Sequence, residues 1–358
     1  MNRLTIFIAS LMILFSCTRQ GFKNDGKIAA SELRKRLADA SGEYMMFGHQ
    51  DDLAYGVGWK SVAGGSDVKK VSGSYPAIFG WEIGNIGNSL NIDGVPFDSI
   101  KIYIARVHSK GGINTISWHA SNPITGLDSW KLTGVDVHSL LPGESNHKML
   151  KNQLDLVAAF LCDLKDEAGN PIPVIFRPWH EMYGGWFWWG SSTCSDADYM
   201  KLFRFTVDYL RKDKKLKNLL IAFAPDSGFN SKEEYLKRYP GDDVVDVLGL
   251  DDYGDFKQKR LDRVVVRLEI ISDLAREKGK VAAFTETGND KLEIENWYTT
   301  NLLQVLKATE KTRSIAYVMV WRNRDTAHFF VPYETHPQAD DFKTFANDKM
   351  IFLLDESR

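Results

Sequence analysis

Short apolar runs and longer amphipathic stretches alternate along this chain. Eight runs read as strands: YMMFGHQ (44–50), YPAIFGWEIG (75–84), GINTISWHA (112–120), PVIFRPWHE (173–181), LLIAFAPD (219–226), VVDVLGLDDY (244–253), VAAFTETG (281–288) and IAYVMVWRN (315–323). Between many of them apolar residues recur at the helical spacing. SELRKRLADASG (31–42) reads as a helix capped by Ser31 and stopped at Gly42. Further helical stretches cover 147–169, 195–212 with Ser195 or Asp196 as cap, 260–280, 297–313 and 340–356. Strands alternating with helices indicate βα units around a parallel sheet. Eight such units fit an α/β fold, a single (β/α)8 TIM barrel with enlarged loops. A doubly wound open sheet is the alternative, but no G-x-G-x-x-G follows the first strand, which disfavours a nucleotide-binding version.

The first residues follow a different pattern. Arg3 precedes an apolar run of twelve residues, LTIFIASLMILF (4–15), too short to cross a bilayer and suited to a signal-peptide core. Ser16-Cys17 after Leu14-Phe15 resembles a bacterial lipobox, with Cys17 lipidated as the mature N-terminus; an ordinary cleaved signal is the alternative. The expected division is residues 1–16 as a lipoprotein signal peptide, 17–28 as anchor and linker, and 29–358 as one barrel. The protein would then be exported and held at a membrane by its lipid, on the periplasmic side or at the cell surface. Cys162 and Cys194 are expected as two free thiols.

Composition narrows the partners. The net charge of −2 and the lack of a basic stripe argue against nucleic acid. Ten tryptophans in 358 residues are somewhat abundant; tryptophans beyond what a core needs often serve flat ligand surfaces such as sugars, and simple packing is the alternative. A monomer is expected, and no cofactor is implied.

Chemistry in a parallel barrel gathers at the C-terminal ends of its strands, the face that carries the βα loops. There the chain places His49 to Asp52, Trp81-Glu82, Trp118-His119, Arg177 with Trp179, His180 and Glu181, Asp251 to Tyr253, Glu286, and Trp321 to Asn323. Glu181 and Glu286, at the ends of strands four and seven, would face each other across the barrel mouth. Glycoside cleavage needs such a pair, one carboxylic acid for the leaving oxygen and one carboxylate for the anomeric carbon or a water. A separation of about 5–5.5 Å gives the retaining mechanism. Apolar walls, for which Trp179 and Trp186 are candidates, would keep the acid protonated. A metal is not expected: strand one offers only His49, and Gly184 stands where H-E-x-x-H needs its second histidine.

RPWHEMYGGWFWWG (177–190) resembles the strand-four signature of glycoside hydrolase family 26, a family of β-mannanases and a few related β-glycanases. FTETG resembles its strand-seven nucleophile motif, and SWHASNP, LGLDDY and VMVWRN match in the right order, so the resemblance runs from about residue 40 to 355. It implies Glu181 as acid/base, Glu286 as nucleophile, and Tyr253 as the hydrogen-bond donor to that nucleophile. It implies Trp186 beside the scissile bond, with His180 at the position before the acid/base. Trp118 and His119 would line the glycone side, Trp321 would lie under the sugar at the cleavage point, and Arg322 would touch the next sugar outward. Arg177 belongs to the same motif. The implied substrate is β-1,4-mannan, galactomannan or manno-oligosaccharide. Mixed-linkage β-glucan and β-1,3-xylan are the alternatives, and a non-catalytic glycan-binding lipoprotein is the rival from another class.

Overall fold

The computed structural model describes residues 25–354. The expected signal peptide and the lipidated Cys17 lie outside the described residues. Eight parallel strands form the wall of a barrel: β1 Met45–Gln50, β2 Ile78–Glu82, β3 Ile113–Trp118, β4 Val174–Pro178, β5 Leu219–Phe223, β6 Val247–Asp252, β7 Val281–Thr287 and β8 Tyr317–Val320. Each pairs with the next, and β8 returns to β1 with Met46 opposite Tyr317 and His49 opposite Val320. Every apolar run read as a strand is one, and the barrel closes as expected.

Strand alternation separates two apolar layers. On the inner side Met46, Ile78, Ile113, Ile175, Val247 and Met319 fill the lower barrel. On the outer side Phe47, Phe79, Phe176, Phe223, Leu250 and Phe284 meet the surrounding helices. The main helices are α1 Asp25–Ala40, α2 Phe97–Ser109, α3 His147–Cys162, α4 Asp196–Asp208, α5 Leu261–Lys278 and α6 Ala339–Ala346.

Two boundaries differ from the sequence reading. α1 starts at Asp25, inside the stretch read as linker, and Ser31 sits within it rather than capping it. Its stripe of Ala30, Leu33, Leu37 and Ala40 packs onto the inner layer and plugs the N-terminal end of the barrel. That burial outweighs the capping preference of Ser31. The stretch 340–356 is helical only through Ala346; Ile351–Phe352 then pairs with β1, and the Met45 N–H donates to the Met350 carbonyl at 2.6 Å. Elsewhere the local signals hold: Ser195 caps α4 by accepting from the Asp198 N–H, and Gly279 ends α5 in the left-handed conformation. Cys194 is buried and free, whereas Cys162 is not a free thiol.

Candidate active site

The place of Glu286 depends on an irregularity in β7. Val281 and Ala283 point inward, while Ala282 and Phe284 point outward. Regular alternation would therefore send residue 286 outward, among the helices. The ladder to β6 instead steps from Phe284–Leu250 directly to Glu286–Asp251, and the ladder to β8 spans three residues of β7 against two. One extra residue, Thr285, is inserted in β7. This β-bulge turns Glu286 into the barrel mouth. There one carboxylate oxygen of Glu286 accepts from the Tyr253 hydroxyl at 2.7 Å, and the other accepts from the Arg177 guanidinium.

Arg177 is an inward residue of β4 and is fully buried. Its second arm donates to Asp251 at 2.6 Å, and the Thr285 hydroxyl donates to the other Asp251 oxygen at 2.6 Å. Burial works to lower the Arg177 pKa, but the charges of Asp251 and Glu286 outweigh it and raise it, so the cation is secure. Burial, and then the charge of Glu286, push the Tyr253 phenol well up, which keeps it protonated and donating. Glu286 thus receives two donors that fix its carboxylate in place.

Glu181 sits on a turn that leaves β4 with two non-glycine residues in the left-handed region, Trp179 at φ 53° and Glu181 at φ 55°. Such conformations cost energy and persist only where the surroundings impose them. Here they do. The Trp179 carbonyl accepts from the Tyr199 hydroxyl at 2.8 Å, the Trp179 indole donates to Thr206 at 3.0 Å, the His180 carbonyl accepts from the Trp189 indole at 2.8 Å, and the Glu181 N–H donates to the Ala224 carbonyl at 2.8 Å. The Glu181 carboxylate accepts from the Trp186 indole at 2.8 Å. Burial, followed by the charges of Glu286, Asp251 and Asp226, raises its pKa well above the ordinary glutamate range. Glu181 is thus set up to hold a proton. Loss of activity at high pH should follow the raised pKa of Glu181: the basic limb of a kcat/KM profile is expected clearly above the usual glutamate range and to vanish in Glu181→Gln.

The aromatic cluster divides by burial. Trp186 is 43% exposed, and the bare Gly184 lets its ring fold back, since a Cβ there would lie 2.3 Å from it. Trp188 and Trp189 are fully buried and pack edge-on against Trp179 at 5.2 and 5.4 Å. Trp118, expected to line the glycone side, is a correction: it faces the outer layer, its ring 4.7 Å from that of buried Trp179, with no surface for a sugar. Trp118 follows inward Ser117 on β3, so alternation turns it away from the mouth.

His119 does reach the mouth. Buried Glu82 accepts from its backbone N–H at 2.8 Å and lies 2.7 Å from its Nδ1. Burial would raise the Glu82 pKa, but the His119 ring, that N–H and the Ser117 hydroxyl outweigh it and hold the carboxylate low. His119 stacks on Trp130 at 5.0 Å and meets half-buried Trp321 edge-on at 6.0 Å. His180 stands behind His119, their Nε2 atoms 3.3 Å apart, and has no exposed surface. It supports the site from behind rather than touching a ligand; burial, then Arg177 and His119, keep it neutral. Arg322 pairs with Asp93 at 2.9 Å and donates to Tyr55 at 3.3 Å, beside a cavity of about 330 Å³ that Trp59, Lys60, Ile92 and Arg324 also line.

Sequence reasoning passed over Trp130, which is 49% exposed, as well as Asp93 and Asp226. Trp130 and Asp93 lie on loops whose course no periodicity predicts. Glu82 and Asp251 stand at strand ends in the sequence, but only the hydrogen bonds assign them work. Among the described residues no three His, Cys, Asp or Glu side chains are grouped to hold a metal.

Comparisons with known proteins show what the chain is similar to. The profile of glycosyl hydrolase family 26 matches residues 24–308. A mannan endo-1,4-β-mannosidase of Bifidobacterium adolescentis is 32% identical over 96% of this chain and 37% of its own length. Another, from Bacillus subtilis, is 30% identical over 54% of each. The chain therefore spans only about a third to a half of these relatives. Among solved structures, a β-mannanase from Bacteroides ovatus superposes with a TM-score of 0.86 at 39% identity, over 92% of this chain and 95% of that one. A modular endo-β-1,4-mannanase from Cellulomonas fimi gives 0.86 at 35% identity, over 94% and 78%. With the family profile spanning most of the sequence and the barrel superposing along nearly all of it, this chain belongs to glycosyl hydrolase family 26.

Proposed function

We propose that the protein is a retaining β-mannanase that cleaves β-1,4-mannosidic bonds by double displacement. The observation that carries the reading is the contrast between two carboxyls. Glu286 is held by Tyr253 and Arg177, while the proton affinity of Glu181 is raised by burial and by the charge of Glu286. In the first step Glu286 attacks the anomeric carbon while Glu181 gives its proton to the departing oxygen. In the second, Glu181 takes a proton from water as that water displaces Glu286. Trp186, Trp130 and Trp321 offer ring faces for sugars around the cleavage point, and the names of the relatives support mannan as the polymer.

The test is product analysis by mass on mannan, galactomannan and lichenan. Manno-oligosaccharides from the first two support the reading; cleavage of lichenan alone moves it to a β-glucanase, and tight binding without new reducing ends to a binding protein. Glu181→Ala adds a sharper check. On mannan its kcat/KM should fall about 10²–10⁴-fold, the usual range for a lost general acid. On an aryl β-mannoside with an acidic leaving group, which departs without a proton, kcat/KM should change far less.

We further propose export and lipid anchoring at Cys17, supported by Arg3, the apolar run 4–15 and the Ser16-Cys17 pair. Cys17→Ala should move the protein from the detergent phase of a cell extract to the aqueous phase.

A further inference from the structure

Asp226, just beyond β5, is only 8% exposed. One of its carboxylate oxygens accepts from two successive backbone N–H groups of the acid/base turn, Tyr183 at 2.9 Å and Gly184 at 2.8 Å. Among the described residues it forms no ion pair. The cation that acts on it, Arg267, is already committed to Asp252 and Asp255. A buried carboxylate without a counter-charge is expensive, and an amide or hydroxyl would accept the same two N–H bonds at lower cost. The chain nevertheless places a carboxyl there, on the turn that carries Glu181.

We propose that Asp226 is a positioning residue for the acid/base: it pins the Glu181 turn through the two N–H groups and presents its negative charge to the Glu181 carboxyl. The inference rests on the reading of Glu181 as the proton donor. The groups that face Glu181 are Glu286 from β7, Asp251 and Tyr253 from β6 and its end, Arg177 from β4, Asp226 from the end of β5, and the Trp186 indole. Arg177 favours the ionised form of Glu181; the acidic groups oppose it. Asp226 adds to the opposition; burial raises its own pKa, and the two N–H bonds work against that rise. The sign follows. Removing this charge lowers the proton affinity of Glu181, so the acid form is lost at lower pH.

The experiment is kcat/KM on manno-oligosaccharide against pH for wild type, Asp226→Asn and Asp226→Ala, with thermal melts alongside. Asp226→Asn keeps an acceptor and loses the charge. Its basic limb should move to lower pH by about half a unit to one unit, on the scale of a single nearby charge, with its melting temperature close to wild type. Asp226→Ala loses both functions, and kcat on the oligosaccharide should fall at least tenfold with KM little changed. The aryl mannoside, which needs no proton, should be spared. A basic limb of Asp226→Asn that superimposes on the wild-type limb overturns the proposal. Should Asp226→Asn fail to fold, Asp226→Ser, a smaller uncharged acceptor, is read by the same limb. A wild-type basic limb that survives Glu181→Gln would instead sink the assignment of Glu181, a separate outcome.

Discussion

Glu286→Gln is expected to reduce turnover on mannan about 10⁴-fold or more, the scale on which loss of a covalent nucleophile acts. The amide fills the same volume and still meets Tyr253 and Arg177, so the fold should hold. It cannot form the glycosyl ester. Because the defect lies in bond formation, an activated aryl mannoside should not rescue it, in contrast to Glu181→Ala. In Glu286→Ala, which does vacate the position, added azide should restore part of the rate on the aryl mannoside by direct displacement and give a product inverted at the anomeric carbon. Parallel assays of Glu286→Gln, Glu286→Ala and Glu181→Ala on both substrates, with the product configuration read by NMR, check this. A Glu286→Gln enzyme that keeps more than about a tenth of wild-type kcat on mannan removes the double-displacement mechanism.

The second large effect is structural and electrostatic at once. Arg177 is one buried cation between two carboxylates, Asp251 and Glu286. Arg177→Met keeps most of the volume and strands both charges. Breaking a buried pair by removing one partner costs about 3–5 kcal/mol, so the melting temperature should drop by roughly 5–15 °C. The sign of the pH dependence follows from the stranded groups. Burial already raises the Asp251 pKa well above the ordinary carboxylate range against the opposing charge of Arg177, and in the variant that opposition is gone and the pKa rises further. The penalty of the stranded charge is then absent at low pH and grows as pH rises through the raised pKa. The stability gap to wild type should therefore narrow as pH falls towards the ordinary carboxylate range, and widen towards neutrality. Activity should also fall about a hundredfold or more, because the nucleophile loses one of its two fixed donors. Melts of both proteins across this pH range, with kcat/KM at each, check both halves. A gap that stays constant with pH would show that Arg177 contributes packing alone.

Much of this was legible in one sequence because barrel physics makes it local. The eight apolar runs each had to be buried on two faces, and Gly279 and Ser195 marked helix ends by backbone chemistry that acts over a few residues. Since βα loops occur on one face only, the polar residues at the strand ends had to meet there. This is why Glu181, Glu286, Tyr253, His119 and Arg177 could be named together before any coordinates.

The rest depended on how distant segments met. Residue 286 follows outward-facing Phe284 by two, and only the extra residue in β7, visible in its pairing with β6 and β8, turns Glu286 into the mouth. Four tryptophans of similar local appearance divided between core and cleft according to what packed over them: Trp118, Trp179 and Trp188 sealed one another in, and Trp186 stayed open. Asp226 ended the fifth apolar run, but nothing local marked its work, which lies in two N–H groups more than forty residues earlier. Periodicity and end signals are set by neighbours along the chain, so the sequence determined the barrel, its working face and the two carboxyls. Side-chain direction at a bulge, burial of a ring and the proton affinity of an acid are set by neighbours in space, and only the tertiary structure decided them.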